Sequence, residues 1–174
     1  MNRAVFLDRD GVINLPIYRD GRAFAPTRVA DFQFMPGIQG LVEMVRNAGF
    51  RIVVVTNQPD VVNGKMSLAT LQEMHQLLQR ELRVDEVRAC LHVDGDECEC
   101  RKPKAGMLRA AAAQFNLDLP HSFIIGDTWR DMSAGKTAGC TTILLDSGYA
   151  DKHGDSADHI VQSFDQAVEI ILNA

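Results

Sequence analysis

Strands alternating with helices predict an α/β fold, one parallel sheet with helices on both faces. Three observations lead there. Short apolar runs recur at residues 4–7, 51–55, 87–93, 122–126, 141–145 and 159–161. Stretches with helical apolar spacing lie between them. The run Ile52-Val53-Val54-Val55 is continuously β-branched, as a strand buried on both faces should be.

The first run, Ala4-Val5-Phe6-Leu7, ends in Asp8-Arg9-Asp10-Gly11. Residues 11–35 carry Gly11, Pro16, Gly21 and Pro26 and end on Pro36, which predicts a long loop; inside compact domains such loops are usually functional. Pro36-Gly37 opens a helix to about Ala48, with Ile38, Leu41, Val42 and Val45 at helical spacing and Gly49 as its stop. Ser67 caps a helix reaching about Leu82 along Leu71, Met74, Leu77 and Leu78. Residues 105–115 are alanine-rich and helical. Residues 129–138 form a short helix that Gly139 ends, and residues 164–172 form the last one. The acidic, glycine-bearing residues 151–155 read as a solvated loop. The arrangement is Rossmann-like, and residues 1–174 read as a single domain.

The 174 residues, 46% hydrophobic and 24% charged, suit one domain with a sizeable core. The net charge of −5 argues against nucleic-acid or anionic-membrane partners. No apolar run is long enough to cross a membrane, and the N-terminal run is too short for a signal peptide, so a cytoplasmic protein is expected.

Ligands of such sheets sit beyond the carboxyl ends of the strands. Four polar segments follow strands here: Asp8/Asp10, Thr56-Asn57-Gln58, residues 90–102, and Asp127 with Asp131. If the chain stays extended through Asp10, Asp8 and Asp10 share a side and their charges crowd. Taken singly, each acid reads as a helix cap or a solvated loop residue. Taken together at consecutive strand ends, they make an oxygen-rich site for magnesium.

Cys90-x-His92-x5-Cys98-x-Cys100 offers three thiolates and one imidazole, a complete tetrahedral set for a structural zinc that would pin its loop beside the site. The alternative is buried thiols beside a surface histidine. Asp94, Gly95, Asp96, Glu97 and Glu99 leave that loop little core to bury them in. Cys140, at the start of an apolar run, reads as core.

Asp8-x-Asp10-Gly11, Thr56-Asn57, Lys102 and Gly126-Asp127-x-x-x-Asp131 together resemble the four motifs of the haloacid dehalogenase superfamily, in order and spacing over most of the chain. The resemblance implies a magnesium-dependent phosphatase acting on a small-molecule phosphate ester. Asp8 would be the nucleophile and Asp10 the general acid/base. Asp8, the Asp10 backbone carbonyl and Asp127 would hold Mg2+, with Asp131 supporting. The Thr56 hydroxyl and the Asn57 backbone would bind phosphoryl oxygens, and Lys102 would neutralise charge and orient Asp8. An acid at position 10 fits a phosphatase rather than a dehalogenase, because an alkoxide leaving group needs a proton.

The cysteine loop followed by Arg101-Lys102-Pro103 resembles the branch of heptose bisphosphate and histidinol-phosphate phosphatases, which implies Asn57, Gln58 and Arg101 as substrate contacts and suggests a monomer. The context around residues 31–37, 53–58 and 64–65 points first to a heptose 1,7-bisphosphate losing its 7-phosphate. The alternatives are histidinol phosphate, or an inactive zinc-stabilised phosphate-binding module. The chain departs from the heptose members at Pro59-Asp60, Asn63 and Thr128, positions that face the substrate there. Neither the 25 residues between Asp10 and Pro36 nor the stretch from Thr56 to Lys102 holds a full helical cap domain, so an open site is expected. Arg19, Arg22 and Arg28 are candidates to grip a second phosphate, and Trp129 either lines the entrance or packs beneath it. His75, His121, His153 and His159 read as surface or boundary residues.

Overall fold

The structure is a computed structural model that describes residues 1–146 and 157–174; the predicted loop at 151–155, with His153, lies outside them. Along the chain run β1 (Arg3–Leu7), β2 (Ile17–Arg19), β3 (Arg22–Phe24), α1 (Ile38–Asn47), β4 (Phe50–Asn57), α2 (Leu68–Leu82), β5 (Glu86–Cys90), α3 (Gly106–Phe115), β6 (Phe123–Gly126), α4 (Trp129–Ala138), β7 (Thr141–Leu145), β8 (His159–Val161) and α5 (Phe164–Leu172). The main sheet has six strands in the order β5-β4-β1-β6-β7-β8, every neighbour parallel. From central β1 the chain winds outward through β4 and β5, then returns to β6 on the other side. The strand order therefore reverses beside β1, where a ligand crevice opens in such sheets.

Strand alternation sorts the core into two layers. Val5 and Leu7 of β1, Ile52 and Val54 of β4, and Phe123 and Ile125 of β6 pack with α1, α5 and the end of α2. Ala4, Phe6, Val53, Val55 and Ile124 face the other way, onto Met107, Leu108 and Ala111 of α3 and Ala134 of α4. Among the described residues no helix is long and apolar enough to cross a membrane.

The predicted helix signals act as expected. The Ser67 hydroxyl accepts from the Thr70 N–H, and Gly139 ends α4 in the left-handed region. Two predicted elements need correction. Residues 11–35 are not plain loop: β2 and β3 form an antiparallel hairpin across Asp20-Gly21, both at positive φ. Such a two-residue turn suits strand twist. The third strand stops at Cys90 rather than Val93. It pairs with β4 only as far as Asn57↔Cys90, and the chain then leaves the sheet to bring His92 toward Cys90.

Candidate active site

Asp8, Asp10, Thr56, Asn57, Arg101, Lys102 and Asp127 line one cavity of about 890 Å³ at the carboxyl ends of β1, β4 and β6. The predicted extended run through Asp10 does not occur. The chain turns at Arg9, whose carbonyl accepts from the N–H groups of Ile13 and Asn14. Asp8 and Asp10 still reach the same cavity, and the Arg9 side chain between them is fully buried. Gly11 completes the turn at φ +89°, and a Cβ there would stand 2.0 Å from Asp127 Oδ2, so only glycine lets the fourth motif close on the first.

Asp8 Oδ1 accepts from the Arg9 N–H at 2.7 Å and lies 2.8 Å from Lys102 Nζ. Lys102 is almost wholly buried, and its ammonium also donates to Val55 O at 2.8 Å and Asp131 Oδ1 at 2.5 Å. Burial opposes that charge, but the Asp131 and Asp8 carboxylates outweigh it and raise the Lys102 pKa. The Asn57 side chain clamps the Lys102 backbone, donating to its carbonyl at 3.0 Å and accepting its N–H at 3.1 Å.

One oxygen from each of Asp8, Asp127 and Asp131 falls within a 4.8 Å cluster. Asp131 spends Oδ1 on Lys102 and Oδ2 on the Thr128 N–H and hydroxyl, the capping box of α4. Asp127 Oδ1 is buried with no hydrogen-bond partner among the described residues. Burial, then the Asp131 charge, pushes the Asp8 carboxyl up to about 7 despite Lys102. Burial, then Asp8, raises Asp127 well above its ordinary value. Carboxylates crowded in this way call for a cation, and a hard divalent ion such as magnesium suits an all-oxygen set.

Asp10 stands apart from that cluster. Arg9 Nε and Nη2 donate to its Oδ1 at 3.1 and 2.8 Å, and Nη2 also reaches Oδ2 at 3.0 Å. Gln58 is the second correction to the predicted site. It is buried rather than at the cavity wall, and its Nε2 donates to Asp10 Oδ2 at 2.6 Å and Thr56 Oγ1 at 2.8 Å. Its amide braces Asp10 and Thr56 from behind the cavity wall.

The cysteine loop has zinc-site dimensions. Cys90 Sγ lies 3.8 Å from Cys98 Sγ and 3.4 Å from His92 Nδ1, which lies 3.2 Å from Cys100 Sγ. Around a tetrahedral zinc, bonds of about 2.3 Å to sulfur and about 2.0 Å to nitrogen set sulfurs about 3.8 Å apart and a sulfur and a nitrogen about 3.5 Å apart. Burial pushes the Cys90 thiol up to about 12, so a thiolate there needs a metal. Arg101 ties this loop to the cavity, donating to Asp94 Oδ1 at 2.7 Å and His92 O at 3.0 Å.

The three candidate arginines divide. Arg22 lines the cavity, as do Ala23, Phe24 and Ala25 of the hairpin strand and the turn after it. Arg19 and Arg28 line a different surface hollow, where Arg28 pairs with Asp31. Trp129 lies outside the cavity wall, with the Arg130 guanidinium 5.0 Å from its ring; Arg130 itself lines the cavity. Pro59 and Thr128, two of the departures, line it too. Sequence reasoning missed Arg9 and Arg130. A charged residue between two rim acids was the available signal for Arg9, since a turn that carries both carboxylates to the cavity leaves the residue between them facing the protein.

Comparisons with known proteins agree with this geometry. The family described as HAD-hydrolase-like matches residues 99–167. The chain is 34% identical over 151 residues to a D-glycero-alpha-D-manno-heptose-1,7-bisphosphate 7-phosphatase of Campylobacter jejuni, covering 82% of this chain and 81% of that protein. It is 37% identical over 148 residues to the D-glycero-beta-D-manno-heptose-1,7-bisphosphate 7-phosphatase of Rhodopseudomonas palustris, covering 78% and 79%. A solved D,D-heptose 1,7-bisphosphate phosphatase from B. bronchiseptica, complexed with magnesium and phosphate, superposes with a TM-score of 0.85 at 28% identity over 98% of each chain.

Proposed function

This chain belongs to the haloacid dehalogenase-like phosphatases, phosphoric monoester hydrolases, and from that premise we propose that it removes the 7-phosphate of D-glycero-D-manno-heptose 1,7-bisphosphate through an aspartyl-phosphate. The observation that carries the reading is the buried, unpartnered Asp127 Oδ1 next to Asp8, in a cavity that also holds Asp10 and Lys102.

Asp8 Oδ1 is engaged by Lys102 and the Arg9 N–H, which leaves Oδ2 to attack phosphorus. As that bond forms, the bond to the sugar oxygen breaks, and Asp10 gives its proton to the departing alkoxide. Water then attacks the phosphorus of the aspartyl-phosphate while Asp10 takes its proton, which frees phosphate and restores Asp8. The Thr56 hydroxyl and Asn57 N–H receive phosphoryl oxygens. Mg2+ on Asp8, Asp127 and the Asp10 backbone carbonyl would neutralise phosphoryl charge, with Asp131 acting through Lys102. A closed Cys90-His92-Cys98-Cys100 zinc would be structural, keeping Arg101 on the cavity wall where it meets the substrate. The reading is of a cytoplasmic monomer, and the unpaired cysteines are consistent with a reducing compartment.

Asp8→Asn should abolish phosphate release, a loss of about 10³-fold or more, with an unchanged circular dichroism spectrum. Near-wild-type turnover would sink the mechanism. Heptose 1,7-bisphosphate and histidinol phosphate assayed side by side should favour the bisphosphate in kcat/KM; the reverse preference would overturn the substrate.

A further inference from the structure

Arg9 is the largest fully buried side chain, and the phosphoryl chemistry gives it no task. A lone guanidinium in a core is costly, so its surroundings indicate what it is kept for. Its Nη1 donates to the Met74 sulfur of α2 at 3.8 Å, and the guanidinium carbon lies 5.8 Å from the centre of the Phe32 ring. On that same helix, burial and the Arg9 charge hold His75 down to about 4, so the imidazole stays neutral and adds no second positive charge beside Arg9. Among the described residues, the one carboxylate within its reach is Asp10, taken by two nitrogens.

Gln58 closes the arrangement. Both hydrogens of its Nε2 are spent, one on Asp10 Oδ2 and one on Thr56 Oγ1. While Asp10 is ionised, the flipped amide would set its oxygen against a carboxylate, which favours this orientation. Thr56 accepts from Gln58 and keeps its own hydroxyl hydrogen for a ligand.

We propose that Arg9 and Gln58 are positioning residues that fix the plane of the Asp10 carboxyl, so that the proton donor meets the leaving oxygen at a set distance from the phosphoryl group held by Thr56. A carboxyl rotates freely about its terminal bond unless something holds it. The Arg9 fork sets the rotation, and Gln58 ties the donor to the phosphoryl-binding hydroxyl. The inference rests on Asp10 being the proton donor.

A proton donor matters only for leaving groups that need a proton. The first-turnover burst of p-nitrophenolate from p-nitrophenyl phosphate needs none, whereas release of the sugar from heptose 1,7-bisphosphate does. Misplacing a reacting group by about 1 Å costs about 10²-fold. Arg9→Met should therefore slow first-turnover sugar release by about 10²-fold and leave the aryl burst within about threefold of wild type, while Gln58→Met, which also frees Thr56, should slow sugar release clearly more than the aryl burst. Thermal unfolding checks the fold; should Arg9→Met not fold, Gln58→Met alone decides the matter. Equal losses for both substrates in a folded variant would overturn the proposal. Asp10→Asn, run alongside, tests the premise separately. If it slows both bursts equally, Asp10 is not the donor; if it spares the aryl burst while the Arg9 and Gln58 variants slow both bursts equally, only the positioning role is lost.

Discussion

Lys102 gathers three partners from three separate elements: Val55 at the end of β4, Asp8 after β1 and Asp131 in α4. Its position depends on all of them, because a buried ammonium tolerates no idle hydrogen. Removing one member of a buried ion pair strands the other charge and costs about 3–5 kcal/mol. Asp131→Ala should lower stability by about that amount in denaturant titration and reduce kcat as well, since Asp8 loses the fixed Lys102 that orients it. A variant of wild-type stability would mean that Asp8 alone suffices for Lys102. Nothing in the local sequence says that Asp131 faces a lysine 29 residues earlier. The Thr128-x-x-Asp131 cap was legible from spacing, but the Lys102 contact needed α3 and α4 packed against the same sheet face.

Among the elements, the segment that follows the cysteine loop and the hairpin both contribute to the cavity wall. The loop holds Arg101 through Asp94 and the His92 carbonyl, and both of those residues lie within the span of the four zinc ligands. Loss of the metal should therefore loosen Arg101 without touching Asp8 or Asp10. Cys100→Ser should bring bound zinc from about one per chain to near zero by metal analysis. KM should rise more than kcat falls. A fall in kcat at unchanged KM would place the loop's effect on the chemistry itself. The ligand spacing made this loop legible in the sequence. The hairpin was legible in principle from Asp20-Gly21, yet proline and glycine density around it outweighed that signal and led to a plain loop.

At the scale of the molecule, the sheet brings like charges together that no single element would tolerate. Burial and Asp131 hold the folded Asp8 carboxyl at about 7 against an ordinary 3.8. Between those values the folded chain binds more protons than the unfolded one, so stability falls as pH rises from about 4 to 7 and levels off above. Asp127, also raised, adds in the same direction. A divalent cation relieves the same crowding, and below 7 protons compete with it. Magnesium-free protein with its zinc in place should melt lower at pH 8 than at pH 5.5. Saturating Mg2+ should raise Tm more at pH 8. An equal gain at both pH values would mean that these carboxylates do not bind the ion.

The sequence by itself determined the order of the main-sheet strands and the helices, the four polar segments at the strand ends, and the Cys₃His set, because periodicity, capping and ligand spacing are local properties. It also carried the resemblance that the relatives bear out. Only the tertiary structure decided how those segments face one another. It turned Gln58 inward to Asp10 and Thr56, buried Arg9, set Arg22 on the cavity wall and Arg19 and Arg28 elsewhere, and left Asp127 without a partner. The physical reason is that a strand end fixes which way a side chain starts out. What it meets depends on neighbouring strands that come from distant parts of the chain.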